Sequence, residues 1–398
     1  MKKICVISGS RADYGLLYWT LKELSSSNLF KLQLCLTGMH LSNEFGLTYK
    51  HVEQDDFKVD FKVESLISSD SSTGISKSIG IGILGFSEAF AKLKPDIILV
   101  LGDRYEIFSA VCAAVANLIP IAHCHGGELT LGAIDDVIRH SITKMSHLHF
   151  TSTSEYRNRV IQLGEDPKSV FNTGALGIEN LKKLKFKNLK ELEKDLNFSF
   201  LKRNFLITFH PETLKKGRSS TQFKNLLNAL NSFSDTNFIF TMPNSDTGGR
   251  VIFDMISSFV KKNRQNAVSF VSVGQRNYLS IMKRVDLVIG NSSSGIIEAP
   301  FFKIPTINLG DRQKGRIQGQ TIINSILESN SIIKSINVGL SDEFKNKIKN
   351  SRNPYGNENA SKKILDVLSK ADLKQLINKK FYDLKLSDLN NKFKEKTL

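Results

Sequence analysis

Strand-length apolar runs that alternate with helical stretches predict an α/β protein built from two doubly wound, Rossmann-like domains facing a cleft. Three observations carry this reading. Apolar runs recur through both halves, among them 4–7 (ICVI), 97–101 (IILVL), 205–208 (FLIT) and 285–290 (VDLVIG). Run after run stops at a small, hydroxyl or charged residue, as strands do where a parallel sheet presents its ligand edge. A Lys/Leu-rich helical stretch without a strong core signature, 178–192, then separates the halves. The expected organisation is an N-terminal domain over 1–178, a second domain over 179–361, and C-terminal helices over 362–398.

Composition narrows the class. A chain of 398 residues, 40% hydrophobic and 24% charged, is long enough to bury a large core in two domains. Lys and Arg number 55 against 39 Asp and Glu, a net charge of +16. Much of that excess is Lys scattered through polar segments such as 182–194 and 377–396. No Arg-rich arm and no basic–aromatic stripe accompanies it, so no nucleic-acid partner is expected and a solvated surface explains the charge. No apolar run approaches the ~18 residues of a membrane span, so no membrane partner is expected either. Met1-Lys2-Lys3 runs straight into ICVISGS, which does not read as a secretory peptide. The four cysteines sit in apolar runs without CxxC spacing, and a cytoplasmic setting with reduced thiols follows. His123-Cys124-His125 does not read as a metal site, because a strand points His123 and His125 to one face and Cys124 to the other.

Taken in order, β-run ICVIS leads into Gly9-Ser10-Arg11-Ala12-Asp13-Tyr14-Gly15 and a helix to about Ser25. Such a loop suits an anion, since free backbone N–H groups and the helix dipole favour phosphate, and it equally suits an ordinary βα turn. A second strand, 31–36, ends in Thr37-Gly38-Met39-His40. A third is expected near 57–63, and the Ser-rich 67–78 reads as a mobile loop able to act as a lid. Gly80-Ile81-Gly82-Ile83-Leu84-Gly85 matches a dinucleotide fingerprint in letters only. It follows a polar loop rather than a strand and runs into SEAFAKL, so it reads as close helix packing and no nicotinamide cofactor is expected.

The chemical centre is expected between 95 and 139. One buried run (97–101) breaks at Gly102 and delivers Asp103-Arg104; a second (119–122) delivers His123-Cys124-His125-Gly126-Gly127-Glu128, and Asp135-Asp136 open the next helix. Burying so many ionisable groups is costly unless they have partners or a task. In the second half, strands end at His210-Pro211-Glu212, at Asn244-Ser245-Asp246, at Asn291-Ser292-Ser293-Ser294-Gly295 and at Gly310-Asp311-Arg312-Gln313-Lys314-Gly315-Arg316. The serine run is the strongest anion-binding candidate, its plainer alternative being a helix cap, which needs one hydroxyl. Glu298, expected one to two turns into the helix that follows, suits ribose hydroxyls, and Arg312 and Arg316 suit a diphosphate. His210 reads either as a phosphate donor or as a cap beside Pro211.

GSRADYG (9–15), TGMH (37–40), VLGDRYE (100–106), HCHGGE (123–128), IDDVIRHSITKMS (134–146), HPETL (210–214), NSDTG (244–248), GNSSSGIIE (290–298) and INLGDRQKGR (307–316) form an ordered set across nearly the whole chain. In that set the chain resembles the hydrolysing UDP-N-acetylglucosamine 2-epimerases of bacterial sialic acid synthesis. The resemblance implies a glycosyltransferase-B-like fold with UDP held mainly by the C-terminal domain, and a final segment packed back on the first domain. It implies conversion of UDP-N-acetylglucosamine and water to N-acetylmannosamine and UDP, without a cofactor or metal, in a homodimer or homotetramer. The catalytic set it implies is Asp103, Glu128, Asp135 and His210. The substrate-binding set is Arg11, His40, Arg104, His125, Asn244, Asp246, Ser292, Ser293, Glu298, Arg312 and Arg316. Where the broader family often carries glutamate, this chain has His125, which makes Glu128 the candidate for that work, with Asp103 and Asp135 alongside.

The residue types fit that chemistry. Removing the weakly acidic C2 proton asks for a buried carboxylate with a raised pKa. Releasing UDP asks for Arg and helix N-termini at the phosphates. Elimination to 2-acetamidoglucal followed by hydration is therefore expected, rather than oxidation and reduction. The same reaction on a UDP-2,4-diacetamido-trideoxyhexose, sugar transfer to an acceptor, and nucleotide-sugar sensing without UDP release are the competing readings.

Overall fold

The structure is a computed structural model that describes residues 1–67, 71–131, 133–212, 218–243, 248–356 and 359–384. The first sheet contains β1 (Lys2–Ser8), β2 (Phe30–Thr37), β3 (Phe61–Val63), β4 (Ile97–Leu101), β5 (Ile121–Cys124), β6 (Leu148–Thr151) and β7 (Val170–Asn172). Its order is β3-β2-β1-β4-β5-β6-β7, parallel throughout. The second contains β8 (Asn204–Thr208), β9 (Asn237–Thr241), β10 (Ala267–Phe270), β11 (Leu287–Gly290), β12 (Thr306–Leu309) and β13 (Ile322–Ser325). It runs β10-β9-β8-β11-β12-β13, again parallel. These are the two doubly wound sheets expected of the sequence.

Period-two alternation explains why the strands read as unbroken apolar runs. Along β1, Ile4 and Val6 enter one core while Cys5 and Ile7 enter another on the opposite face. Along β8, Phe205 and Ile207 face one layer and Leu206 the other. Strand order reverses between β1 and β4, and again between β8 and β11, so each sheet opens a crevice at that point. The two crevices face each other.

Several local expectations are corrected. Residues 72–78 do not form a loop; they are the first turns of the helix Ser72–Leu93, capped by Ser71, and 68–70 lie outside the described residues. Gly82 and Gly85 sit inside that helix, against Ser109 and Val63, where a Cβ would collide. The helix after the serine run is only Ser293–Ile297, so Glu298 stands at its C-cap rather than within it. Pro300 accounts for this, because it supplies no N–H to continue the ladder. β13 and the helices Ser329–Leu340 and Asp342–Ile348 were not anticipated.

Past the second sheet the chain returns. The helix Ala360–Lys370 lays Ala360, Ile364 and Leu368 on the core beside Leu17, Leu21 and Leu24 of the helix Arg11–Ser26. Lys2 Nζ donates to the carbonyls of Leu368, Ser369 and Ala371, where a cation meets the negative end of the helix dipole. Lys379 Nζ pairs with the buried Glu165 at 2.7 Å.

Gly290 closes β11 at φ 138°, and a Cβ there would fall inside the van der Waals shell of the Thr208 carbonyl oxygen on β8. Gly290→Ala is expected to destabilise the protein by roughly 2–4 kcal/mol, read as a lowered urea midpoint. An unchanged midpoint would contradict the close approach of the two strands.

Candidate active site

A cleft of ≈ 670 Å³ lies between the facing sheet edges. The first domain contributes Arg11, Tyr14 and His125, and the second contributes Thr208, His210, the turn Ser292–Ser294, Glu298 and Arg312. Arg11 opens its helix after the Ser10 cap, and burial lowers its guanidinium to about 10. His210 follows β8, where its N–H donates to Asn291 Oδ1 at 2.7 Å. Ser292 caps its short helix by accepting from the Ser294 N–H, while the Ser294 hydroxyl bonds to Tyr278. Arg312 Nη1 donates to the Asn291 carbonyl at 3.1 Å. One wall of the cleft thus gathers cations, hydroxyls and N–H groups, a chemistry suited to an anion.

Glu298 differs from its surroundings. It is buried, accepts no hydrogen bond to its carboxylate among the described residues, and is raised to about 8 by burial. A buried acceptor without a donor is costly unless a bound group supplies one.

Behind His125 lies a charge cluster joining the domains. His125 has a φ of 64°, and its Nδ1 stands 3.1 Å from Glu128. Leu176 N–H points at Nε2 at 3.2 Å, so the network assigns the proton to Nδ1. Glu128 also accepts from Ser152 Oγ at 2.8 Å and meets Arg316 of the second domain at 3.0 Å. Burial alone would raise this carboxyl, but Arg316, His125 and Arg139 together outweigh it and hold Glu128 well below the usual carboxylate range. Glu128 is therefore held ionised and is not the carboxylate with a raised pKa that proton removal at C2 asks for. Arg316 also donates to the Leu129 carbonyl at 3.1 Å, and the Ile317 N–H donates to Tyr156 Oη at 2.9 Å.

The predicted residues divide accordingly. Arg11, His125, His210, Ser292, Ser293, Glu298 and Arg312 line the cleft. Arg316 does not; Glu128 neutralises it in the interior. His40 does not either, being fully buried between Ser8 Oγ (2.9 Å) and Thr48 Oγ1 (2.8 Å) and lowered to about 3 by burial. Arg104 turns to Glu106 at 3.2 Å instead of the cleft. Asp103, 17% exposed, pairs with Arg139 Nη2, and Asp135 is buried as the first residue of the helix Asp135–Met145; neither lines the cleft. Asn244 and Asp246 lie outside the described residues.

Three contributors were missed. Arg139 ties Asp103 to the His125 carbonyl (3.1 Å) and Thr130 Oγ1 (3.1 Å), and its place four residues after Asp135 on one helix was a usable signal. Asp13 accepts from the Gly9 N–H at 3.3 Å and is raised to about 6, chiefly by burial. The Ser10-x-x-Asp13 spacing marks that cap in the sequence. Tyr278 lines the cleft beside the serine turn, and no motif announces it.

The family model for UDP-N-acetylglucosamine 2-epimerase matches residues 22–369. The chain belongs to the UDP-N-acetylglucosamine 2-epimerase family. It is 44% identical to the GDP/UDP-N,N'-diacetylbacillosamine 2-epimerase (hydrolyzing) of Campylobacter jejuni over 96% of this chain and 99% of that protein. It is 45% identical to polysialic acid biosynthesis protein P7 of Escherichia coli over 90% and 92%. Its fold is similar to that of the Neisseria meningitidis UDP-GlcNAc 2-epimerase solved with UDP-GlcNAc, with a TM-score of 0.75 at 22% identity over 93% of this chain and 100% of that one. That likeness establishes the glycosyltransferase-B-type pairing of two parallel-sheet domains for this epimerase-family chain.

Glu298 makes a pH-dependent prediction. Its folded value, about 8, lies above the ordinary 4.5, so the folded state holds the proton more tightly. The associated stability is fully present below pH 4.5 and lost as pH rises through 8. Glu298→Gln, which cannot ionise, is expected to gain melting temperature relative to the parent between pH 5 and pH 9. A difference that stays flat with pH would count against a buried, raised Glu298.

Proposed function

We propose that this protein is a hydrolysing 2-epimerase that releases UDP from a UDP-linked 2-acetamido sugar with water and inverts the sugar at C2. The observation that carries the reading is the meeting in one cleft of an anion-binding wall from the second domain and His125 from the first, with Glu128, Arg139 and Asp103 networked behind it. Membership of the epimerase family supports it. The diphosphate is assigned to Arg11, His210, Arg312 and the serine turn, and the ribose to Glu298, whose carboxyl group meets no donor among the described residues and is free to bond ribose hydroxyls.

In the first half-reaction the C2 proton leaves and the C1–O bond to UDP breaks, giving 2-acetamidoglucal. Arg11 and Arg312 neutralise the charge that develops on the departing diphosphate. Asp103, partly exposed and paired with Arg139 behind the cleft-lining His125, is assigned to proton transfer at C2, which requires the bound sugar to reach past the cleft wall. Glu128 serves by fixing the tautomer and ring of His125, which faces the cleft. In the second half-reaction water adds at C1 and a proton returns to C2 from the opposite face, with His210, which lines the cleft, completing the acid–base set.

Two sugars fit this scheme. UDP-N-acetylglucosamine yields N-acetylmannosamine, the first step of sialic acid synthesis. A UDP-2,4-diacetamido-trideoxyhexose yields the corresponding diacetamido sugar, and a specific observation favours it. Both the Campylobacter jejuni relative and a Legionella pneumophila relative, 32% identical over 95% of this chain, bear names that specify diacetylbacillosamine.

Turnover of each UDP-sugar in heavy water, with UDP release followed and the products separated, tests the reading. The expected product carries deuterium at C2 and is the C2-inverted free sugar. Product retaining its original C2 hydrogen would sink the elimination route, and transfer to an acceptor without hydrolysis would sink the epimerase reading. A paired experiment separates the two walls. Arg312→Ala is expected to weaken UDP binding by ~2 kcal/mol, as for a lost charge-assisted contact. Asp103→Asn is expected to lower turnover at least ~100-fold while calorimetry finds UDP affinity little changed. The reverse pattern would exchange the assigned roles.

A further inference from the structure

Asn291 follows β11 at the point where the second sheet reverses its strand order, and it is fully buried. It does not line the cleft. Its polar groups are nevertheless bonded to residues that do. Its Oδ1 accepts the His210 N–H at 2.7 Å, and its Nδ2 donates to the His210 carbonyl at 2.8 Å, a two-point grip on one peptide segment. Its own carbonyl accepts from Arg312 Nη1 at 3.1 Å and from Gln313 Nε2 at 2.8 Å. Its N–H donates to Thr208 on β8, and the next residue in the chain is the capping Ser292.

Three cleft elements from three separate stretches of sequence therefore meet at this one side chain and its peptide. Glu212, two residues past His210, adds a parallel tie: its carboxylate accepts the Asp311 N–H and the Gln222 amide at 2.9 Å. An asparagine serving packing alone needs its amide satisfied by any backbone. Here both amide groups hold the peptide of His210, a cleft residue, while the main-chain carbonyl of Asn291 holds Arg312 on the other side of the switch point.

We infer that Asn291 is a positioning residue that makes His210, the serine turn and Arg312 one preorganised unit, so that holding the diphosphate and placing His210 are a single property of the site. The inference rests on the proposed reading of the cleft as a nucleotide-sugar site. Its physical basis is that dipoles and cations accelerate a charge-separating step only when they are aimed before the charge develops.

The test uses the full chain, with UDP titrated by calorimetry and the UDP-sugar turned over at saturation. Asn291→Ala is expected to bind UDP about tenfold more weakly and to lose about 100-fold in kcat, as displaced reacting groups do, with binding stoichiometry near one. Asn291→Asp, which keeps the acceptor for the His210 N–H and loses the donor to its carbonyl, is expected to fall between alanine and the parent. Reduced stoichiometry with an unchanged Kd in both variants would make Asn291 a folding residue only, and so would overturn the inference. Parent-like UDP affinity and kcat in the two variants would overturn it as well. A parent protein that neither binds UDP nor releases it from either sugar would instead bring down the nucleotide-sugar reading, and this inference with it.

Discussion

The buried contact between Glu128 and Arg316 is the constraint around which the cleft is arranged. It carries opposite charges from two domains into one interior, where either alone would be severely penalised. The first domain therefore cannot hold the HCHGGE segment as it stands without the second domain's Gly310–Arg316 loop beside it. Arg316 reaches the Leu129 carbonyl as well, and Tyr156 and Tyr355 clasp Ile317 through its N–H and carbonyl. This side of the cleft is a hub rather than a surface that parts freely. Elsewhere the two domains also meet through an exposed Arg250–Glu44 pair at 3.2 Å and a hydrogen bond from Gln275 to the Gly15 carbonyl.

From that hub the two walls diverge in character. On the first-domain side, acidic groups are compensated: Glu128 by Arg316 and His125, Asp103 by Arg139, Glu106 by Arg104. On the second-domain side the polar groups are aimed into the cleft, and Glu298 stands without a donor among the described residues. Compensation on one side and unmet capacity on the other is the electrostatic arrangement that the proposed reading of the cleft asks for. His125 and Arg312, the cleft residues next to the hub, sit three and four residues from Glu128 and Arg316.

Much of this was legible in the residues. Parallel β-strands buried on both faces read as apolar runs, and their C-terminal ends read as the polar residues that stop them. That is why both sheets, and seven of the residues lining the cleft, follow from local pattern. The errors fell where the sequence signal is weak. Ser71–Ser78 looked like a loop because serine favours caps and turns, yet one serine caps and the following ones ride the helix it starts. β13 offers only two apolar residues, Ile322 and Ile323, before Asn324 and Ser325, too short a run to be told from a connection.

By itself, the sequence determined the fold class, the order of strands and turns, and the ordered motifs that resemble the epimerase family, because each depends on residues near one another in the chain. Tertiary structure alone decided which charged residues are spent internally. Arg312 and Arg316 are four positions apart and chemically alike, but one faces the cleft and the other is neutralised by Glu128. His40 and His125 both follow strands, but Ser8 and Thr48 enclose the first while the second meets the cleft. The protonation of a buried group depends on the charges that surround it in space, and those charges come from segments nearly two hundred residues away.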